Sequence, residues 1–273
     1  MKSLGKTRNS LRELRVFPRD DRVFAMNIKA VKLDIVMPPQ DDLLSKIRKS
    51  KLSLKEGDIV AVSSKVVSIW EGRTIPMLEV TKDELVKKEA DLWLPREKKD
   101  RCVMHTITKN FLIASAGIDE SNGDGYYVLW PKNPVLSAQK VLKWLKKEYK
   151  IRKLGVVVTD SHSVPLRRGV TGFALSYAGF DPLYDYRGKE DIFGREMKFS
   201  MTNVADSLAA SAVLAMGEGN EKTPLAVISG APYIRFGKAK NKKKFSSFEV
   251  PLEEDLFGVF LRRLGGKKGG SPK

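Results

Sequence analysis

Three acidic residues follow predicted regular structure and together could hold a divalent cation. Asp160 ends the apolar run of residues 154–159, Asp119 follows the apolar stretch 111–118, and Glu218 follows an alanine-rich segment. Catalytic groups are commonly placed on loops that a rigid scaffold positions. Two carboxylates about 4 Å apart repel by roughly 4 kcal/mol at an effective dielectric near 20, so converging acids require a cation or a proton. Magnesium or manganese would supply that charge.

Each of these residues also has an ordinary structural interpretation. Taken singly, an acid at the end of an element is most simply a turn or cap residue. Arg168 lies just past Asp160, where its guanidinium could bind phosphate or carboxylate groups or pair with the acids of residues 185–191, and these two interpretations weigh about equally. His162 could touch a ligand, but we expect a solvated loop residue.

Common nucleotide-binding and hydrolase motifs are absent. The string nearest to a P-loop, residues 217–223, has Glu221 before Lys222 and runs from a predicted helix to a predicted strand, the reverse of the required order. No Gly-x-Gly-x-x-Gly follows a strand, and Gly-x-Ser-x-Gly does not occur. A glycine-rich backbone beside Glu218 remains, and it could approach a nucleotide closely.

The charge of this 273-residue chain is strongly basic but unevenly distributed. The net charge is +17, of which +14 falls in residues 1–22, 238–244 and 262–273. Such segments are typical of solvated tails rather than of a binding face built into a fold. Because no aromatic residues are interleaved with the basic ones, this pattern argues against a nucleic-acid partner.

Composition also limits the type of site and the location. One cysteine and two histidines make a zinc site implausible. No apolar run approaches the 18 or more residues of a membrane span, and no signal-peptide pattern opens the chain, so we expect a cytoplasmic protein without membrane contact.

The predicted elements mix strands and helices without strict alternation, which favours an α+β fold with mixed sheets and packed helices. We expect three parts: a basic N-terminal leader (1–22), a main domain (23–236), and a basic loop, C-terminal helix and tail (237–273). Strands are predicted at residues 31–35, 59–69, 103–118, 154–160, 170–178 and 225–228. Helices are predicted to begin near Asp42, Thr81 and Asn133, and to span residues 202–216 and 253–264.

Three long motifs resemble the coenzyme F420 γ-glutamyl ligase family. The first is residues 158–219, beginning VTDSHSVPLRRGVTGF and ending LAMGEG; the second is GDIVAVSSKVVSIWEGR at 57–73; the third is SAGIDESN at 115–122. They occur in the family's order, and the likeness covers roughly residues 28–230.

This resemblance implies an α+β protein that forms an intertwined dimer and uses GTP with magnesium or manganese to join L-glutamate to a deazaflavin coenzyme precursor. By the same resemblance, Asp119, Asp160 and Glu218 bind the metal, and Asp160 and Arg168 are catalytic. The implied nucleotide-binding residues are Ser64, Lys65, Asn122, Ser161, Met216, Gly217, Gly219 and Asn220, within a loop that extends to Thr223.

The sequence departs from the family pattern at several positions. Residues 32–35 replace an early nucleotide loop, Ile69 replaces a lysine, and Ser163 and Ser229 replace a glycine and an arginine. These changes concern positions that would recognise the nucleotide and the acceptor, whereas all three acids are present. Two alternatives therefore stand beside the ligase interpretation: the same fold with a different acceptor, and a non-catalytic protein whose basic tails bind nucleic acid.

Overall fold

The computed structural model describes residues 25–96, 103–237 and 248–270. The predicted leader and the lysine-rich segment 238–244 lie outside these residues. The strands are β1 Asn27–Val31, β2 Ile59–Ser63, β3 Thr74–Pro76, β4 Leu92–Trp93, β5 His105–Thr108, β6 Phe111–Ala114, β7 Tyr126–Val128, β8 Gly155–Ser163, β9 Val170–Ala178, β10 Leu183–Asp185, β11 Met201–Asn203, β12 Leu225–Ser229 and β13 Lys267–Lys268. The helices are α1 Leu43–Lys49, α2 Ser64–Trp70, α3 Lys82–Glu89, α4 Pro134–Tyr149, α5 Val204–Met216 and α6 Gly258–Leu261, with 3-10 turns at Ser115–Gly117 and Arg262–Leu264.

A five-stranded sheet with the order β1-β12-β2-β8-β9 forms the centre of the molecule. Only β2 and β8 pair in parallel, with Ile59 opposite Gly155, and the other neighbours are antiparallel. Because the parallel pair brings the carboxyl ends of β2 and β8 together, the segments that follow them meet at one edge. The sheets and helices confirm the predicted α+β class.

Both faces of the central sheet are covered by helices. Val60, Val62 and Val156 face a core completed by α1, α2 and α4. Their neighbours in the strands face α5, whose alanines allow its backbone to lie close to the sheet. This alternation is the period of two expected of a strand buried on both sides. A smaller core under α3 joins the sheets β13-β4-β5-β6 and β3-β7.

Several helix starts agree with the sequence signals. Asp42 accepts a hydrogen bond from the Ser45 backbone N–H at the start of α1. Thr81 and Glu84 form a reciprocal capping box at α3. Asn133 caps α4, with Pro134 as its first residue.

In the part of the chain that the structure describes, none of the helices has the length and apolar character of a membrane span.

Other boundaries were predicted wrongly. The apolar run 59–69 is a strand only to Ser63, whose side chain caps α2 by accepting from the Lys65 N–H. Strand β1 ends at Val31, where the predicted strand begins. Strand β8 continues three residues past Asp160, because β9 pairs with it as far as Ser163.

The C-terminal helix also differs from its predicted range. The last predicted helix, residues 253–264, is reduced to α6 and the 3-10 turn after it.

Candidate functional site

A cavity of about 540 Å³ opens at the edge where β2 and β8 end. Its walls are the start of α2, the loop between β1 and α1, the segment before β7, and the loop that leaves α5. It is lined by eleven of the twelve predicted site residues: Ser64, Lys65, Asp119, Asn122, Asp160, Ser161, Met216, Gly217, Glu218, Gly219 and Asn220. Residues far apart in the chain are therefore gathered into one site.

Asp160 is the most deeply placed acid of the cavity. The Trp130 indole Nε1–H donates to its Oδ2, and the Ser161 backbone N–H donates to its Oδ1 at 2.8 Å. Burial raises the pKa of Asp160 to about 6, and the negative charge of Asp119 acts in the same direction. The two hydrogen bonds, and one from the Ser64 side chain, oppose this rise. The site thus contains a carboxylate that favours a proton or a cation beside it.

Asp119 has the opposite electrostatic environment. The Lys65 ammonium lies 2.7 Å from its Oδ2, and the Ser121 backbone N–H donates to its Oδ1 at 2.7 Å. Burial alone would raise the pKa of Asp119, but the Lys65 charge and these hydrogen bonds outweigh burial and lower it. Lys65 also donates to the Ser121 carbonyl at 2.9 Å, which fixes its amine over the cavity wall.

The loop after α5 closes the cavity on the other side. The Ser161 hydroxyl donates to Glu218 Oε2 at 3.2 Å, and the Asn122 side-chain amide donates to the Gly219 carbonyl at 3.3 Å. The Gly219 N–H donates in turn to Glu221 at 2.8 Å. These bonds connect the loop to the residues that follow β8 and to the Asp119 segment.

The oxygen ligands of this site suit a hard divalent cation. Magnesium and manganese prefer carboxylates and hydroxyls, which Asp119, Asp160, Glu218 and Ser161 supply. However, within the described part of the chain no three acidic, histidine or cysteine side chains stand close enough to form a metal-binding group. The acids line one cavity without converging on one point, so a cation shared by all three remains a prediction.

Two residues that the sequence placed near the site lie apart from the cavity. Arg168 is exposed in the turn between β8 and β9 and does not line the cavity. The expectation of a solvated loop for His162 was wrong, because this residue belongs to β8 and its ring packs on Phe173, with 4.7 Å between ring centroids. It faces a separate hollow beside Asp206.

Sequence reasoning missed Trp130, the hydrogen-bond donor to Asp160. Its ring is buried among Phe111 and Phe173, with its Nε1–H directed at the carboxylate. A buried tryptophan usually needs a partner for this N–H. The sequence therefore indicates that Trp130 has a hydrogen-bond acceptor. It does not indicate that the acceptor is Asp160, which lies 30 residues away in the chain.

Comparison with known proteins places the chain among ligases. A family model described as F420-0:Gamma-glutamyl ligase matches residues 31–230. A coenzyme F420:L-glutamate ligase of Methanopyrus kandleri is 33% identical over 225 residues, covering 75% of this chain and 87% of that protein. Proteins of the same name from Methanocaldococcus jannaschii and Halobacterium salinarum are 33% and 35% identical, covering 75% and 69% of this chain and 86% and 80% of their own.

Proposed function

Because the chain belongs to the F420-0:gamma-glutamyl ligase family, we propose that it joins L-glutamate to a carboxylate acceptor, the deazaflavin precursor of coenzyme F420, with GTP and a divalent cation as co-substrate and cofactor. The observation that carries this proposal is the cavity that gathers Asp119, Asp160 and Glu218 with Lys65. The acids can hold a divalent cation, and Lys65 supplies a further positive charge. A nucleotide-dependent ligase needs such charges, because it must bring two anionic substrates together with a polyphosphate.

The proposed reaction activates the acceptor before the amide forms. An oxygen of the acceptor carboxylate attacks the γ-phosphorus of GTP, and the bond to the β-phosphate oxygen breaks to release GDP. The glutamate amine then attacks the acyl carbon, loses a proton, and displaces inorganic phosphate. The product is an amide, and one GTP is consumed for each glutamate added.

In this reaction some residues of the cavity would neutralise charge on the phosphates, and others would position the nucleotide. Magnesium or manganese, held by Asp119, Asp160, Glu218 and the Ser161 hydroxyl, would offset charge on the phosphates. The Lys65 ammonium, which pairs with Asp119 at 2.7 Å and donates to the Ser121 carbonyl at 2.9 Å, would exchange one of these contacts for a phosphate oxygen. The bond from Asn122 to the Gly219 carbonyl holds the glycine-rich loop, so that its backbone can approach the nucleotide.

Turnover with defined substrates tests this proposal. Purified protein is mixed with GTP, Mn²⁺, L-glutamate and the deazaflavin precursor, and released phosphate and the amide product are measured together. We expect phosphate release that requires both the acceptor and glutamate, and a product heavier by one glutamyl group. Failure to release phosphate with any acceptor would refute the ligase proposal.

A different acceptor is a second candidate, and one observation favours it. Ile69, which stands where the family pattern has lysine, is buried in the cavity wall and contributes only apolar surface. An acceptor whose negative group pairs with that lysine in other family members could not form this ion pair with Ile69. Mass spectrometry of products from a panel of carboxylate acceptors separates the candidates, because only the second predicts that the deazaflavin precursor is a poor substrate.

A further inference from the structure

Trp130 lies between the segment that carries Asp119 and the strand that carries Asp160. Two residues before it, Val128 exchanges two backbone hydrogen bonds with Asp119, at 2.8 and 3.0 Å. Its indole Nε1–H donates to Asp160 Oδ2 on β8. Its backbone carbonyl accepts a hydrogen bond from the Arg73 side chain at 3.0 Å, which holds the base of the indole in place. Trp130 therefore connects two acids that belong to separate segments of the chain.

The indole ring has little freedom to move. Trp130 is only 3% exposed, and Phe111 and Phe173 pack against it at steep angles, with 5.8 and 6.1 Å between ring centroids. The ring also lies directly against the backbone of Gly117, two residues before Asp119, because a Cβ added at Gly117 would overlap the indole. The direction of the Nε1–H is therefore fixed by the same segment that carries Asp119.

The orientation of the Asp160 carboxylate depends on its hydrogen-bond donors. A carboxylate rotates about its terminal side-chain bond with little preference, so its oxygens are fixed only by what they contact. Trp130 donates to Oδ2, the Ser161 N–H donates to Oδ1 at 2.8 Å, and the Ser64 side chain provides a third hydrogen bond. An ionised carboxylate offers about four acceptor positions, so room for a cation remains.

We propose that Trp130 is a positioning residue, which orients Asp160 relative to Asp119 so that both carboxylates can bind one divalent cation. This inference rests on the proposed function, which assigns a cation to these acids. The charge of Asp119 acts on Asp160, so the two carboxylates are electrostatic neighbours. The indole has one donor and Asp160 accepts it, so Trp130 acts on the cation through this carboxylate. Removing such a partner of a metal ligand typically lowers metal affinity by roughly 10- to 100-fold.

The first test removes the indole N–H and keeps the shape of the ring. Trp130 is replaced by stop-codon suppression with 3-benzothienylalanine, in which sulfur stands in place of the N–H. Electron paramagnetic resonance then measures Mn²⁺ binding at pH 8.5, where few protons compete with the cation. We expect Mn²⁺ affinity to fall by roughly 10- to 100-fold, and the spectrum of the bound Mn²⁺ to change because a ligand is reoriented. The same replacement at Trp144, which does not line the cavity, should leave both unchanged.

The second test uses two glycines to probe the contact between the ring and the Asp119 segment. Gly117 and Gly125 have similar positive φ values, +70° and +84°, so alanine strains the backbone similarly at both. A Cβ at Gly117 would overlap the Trp130 ring, whereas a Cβ at Gly125 would meet nothing within 4 Å. We therefore expect Gly117→Ala to weaken Mn²⁺ binding at least tenfold, and Gly125→Ala to leave it unchanged.

Two kinds of outcome separate this inference from the proposed function. Unchanged Mn²⁺ affinity after the Trp130 replacement, or equal Mn²⁺ affinities in Gly117→Ala and Gly125→Ala, would overturn the inference alone. An equal loss from the replacement at Trp144 would do the same, because it would show an effect without contact to Asp160. Failure of the wild-type protein to bind Mn²⁺ in the presence of GTP would overturn the proposed function and this inference together.

Discussion

Asp160 is a carboxyl group whose pKa its surroundings raise well above the ordinary value. Burial is the main cause of its pKa near 6, and the Trp130 indole and Ser161 amide only partly offset it. The sequence predicted Asp160 as a site residue from the apolar run before it. It could not predict Trp130, because that contact depends on how distant segments pack.

The raised pKa gives a pH-dependent stability with a defined sign. An aspartate with a folded pKa near 6 and an ordinary value of 3.8 stabilises the fold below about pH 4, and this contribution is lost as the pH rises through 6. In metal-free buffer, the stability of Asp160→Asn relative to the wild type should therefore rise between pH 4.5 and pH 7.5, by at most about 3 kcal/mol, because asparagine carries no charge. Urea unfolding at the two pH values measures this difference, which does not depend on the hydrogen bond that the asparagine nitrogen cannot accept.

Asp185→Asn provides a control of opposite sign. Hydrogen bonds from Arg187 lower the pKa of Asp185 to about 2, so its carboxylate stabilises the fold above the ordinary pKa. This variant should be less stable than the wild type at pH 7.5. If Asp160→Asn followed the wild-type stability at both pH values, the assignment of a raised pKa to Asp160 would be wrong.

At the scale of elements, α5 sets the position of Glu218. A Cβ added at Gly172 on β9 would lie 2.6 Å from Val213 and 2.7 Å from the Ala209 carbonyl, both on α5. The alanines of α5 allow this close packing. The sequence did not predict that α2 begins at Ser64, because a continuous apolar run fits a buried strand or a buried helix equally well.

Gly172→Ala should displace α5 and with it the loop that carries Glu218. We expect a loss of stability of about 1–3 kcal/mol from the crowding, and weaker Mn²⁺ binding in the presence of GTP. Gly169→Ala is the control in the same hairpin, because its Cβ would meet open space although its φ is +88°. It should cost stability through backbone strain and leave Mn²⁺ binding intact. Equal Mn²⁺ affinity in the two variants would refute the role of α5.

Across the whole molecule, two of the segments that carry strongly exposed apolar side chains lie in connections between strands. Leu166 in the turn after β8 is 98% exposed, and Ile192, Phe193 and Phe199 between β10 and β11 are 88–92% exposed. Such surfaces usually mark a protein interface. They are consistent with the homodimer that the family resemblance predicts.

The dimer prediction is tested by light scattering after size-exclusion chromatography. The wild type should elute as a dimer, and replacing both Phe193 and Phe199 with serine should yield monomers, because the apolar interface is lost. Leu78→Ser is the matched control, since Leu78 is fully exposed but lies outside these segments. A wild-type monomer, or a double variant that stays dimeric, would contradict the prediction.

The basic tails test the alternative that the protein binds nucleic acid. Removing residues 1–22 and replacing the five lysines of residues 238–244 with serine should leave glutamate-dependent phosphate release unchanged, because the cavity is built from other residues. A gel-shift assay with RNA should show weak, salt-sensitive binding at most in the intact protein. Tight RNA binding together with inactive ligase assays would favour the alternative.

We propose that Asp119, Asp160 and Glu218 act on one cation that carries the nucleotide. Electron paramagnetic resonance follows a Mn²⁺ titration, with and without GTP, in the wild type and in Asp119→Asn, Asp160→Asn and Glu218→Gln. We expect a Mn²⁺ site that GTP strengthens in the wild type and that each substitution weakens at least tenfold. Unchanged Mn²⁺ affinity in all three variants would contradict it.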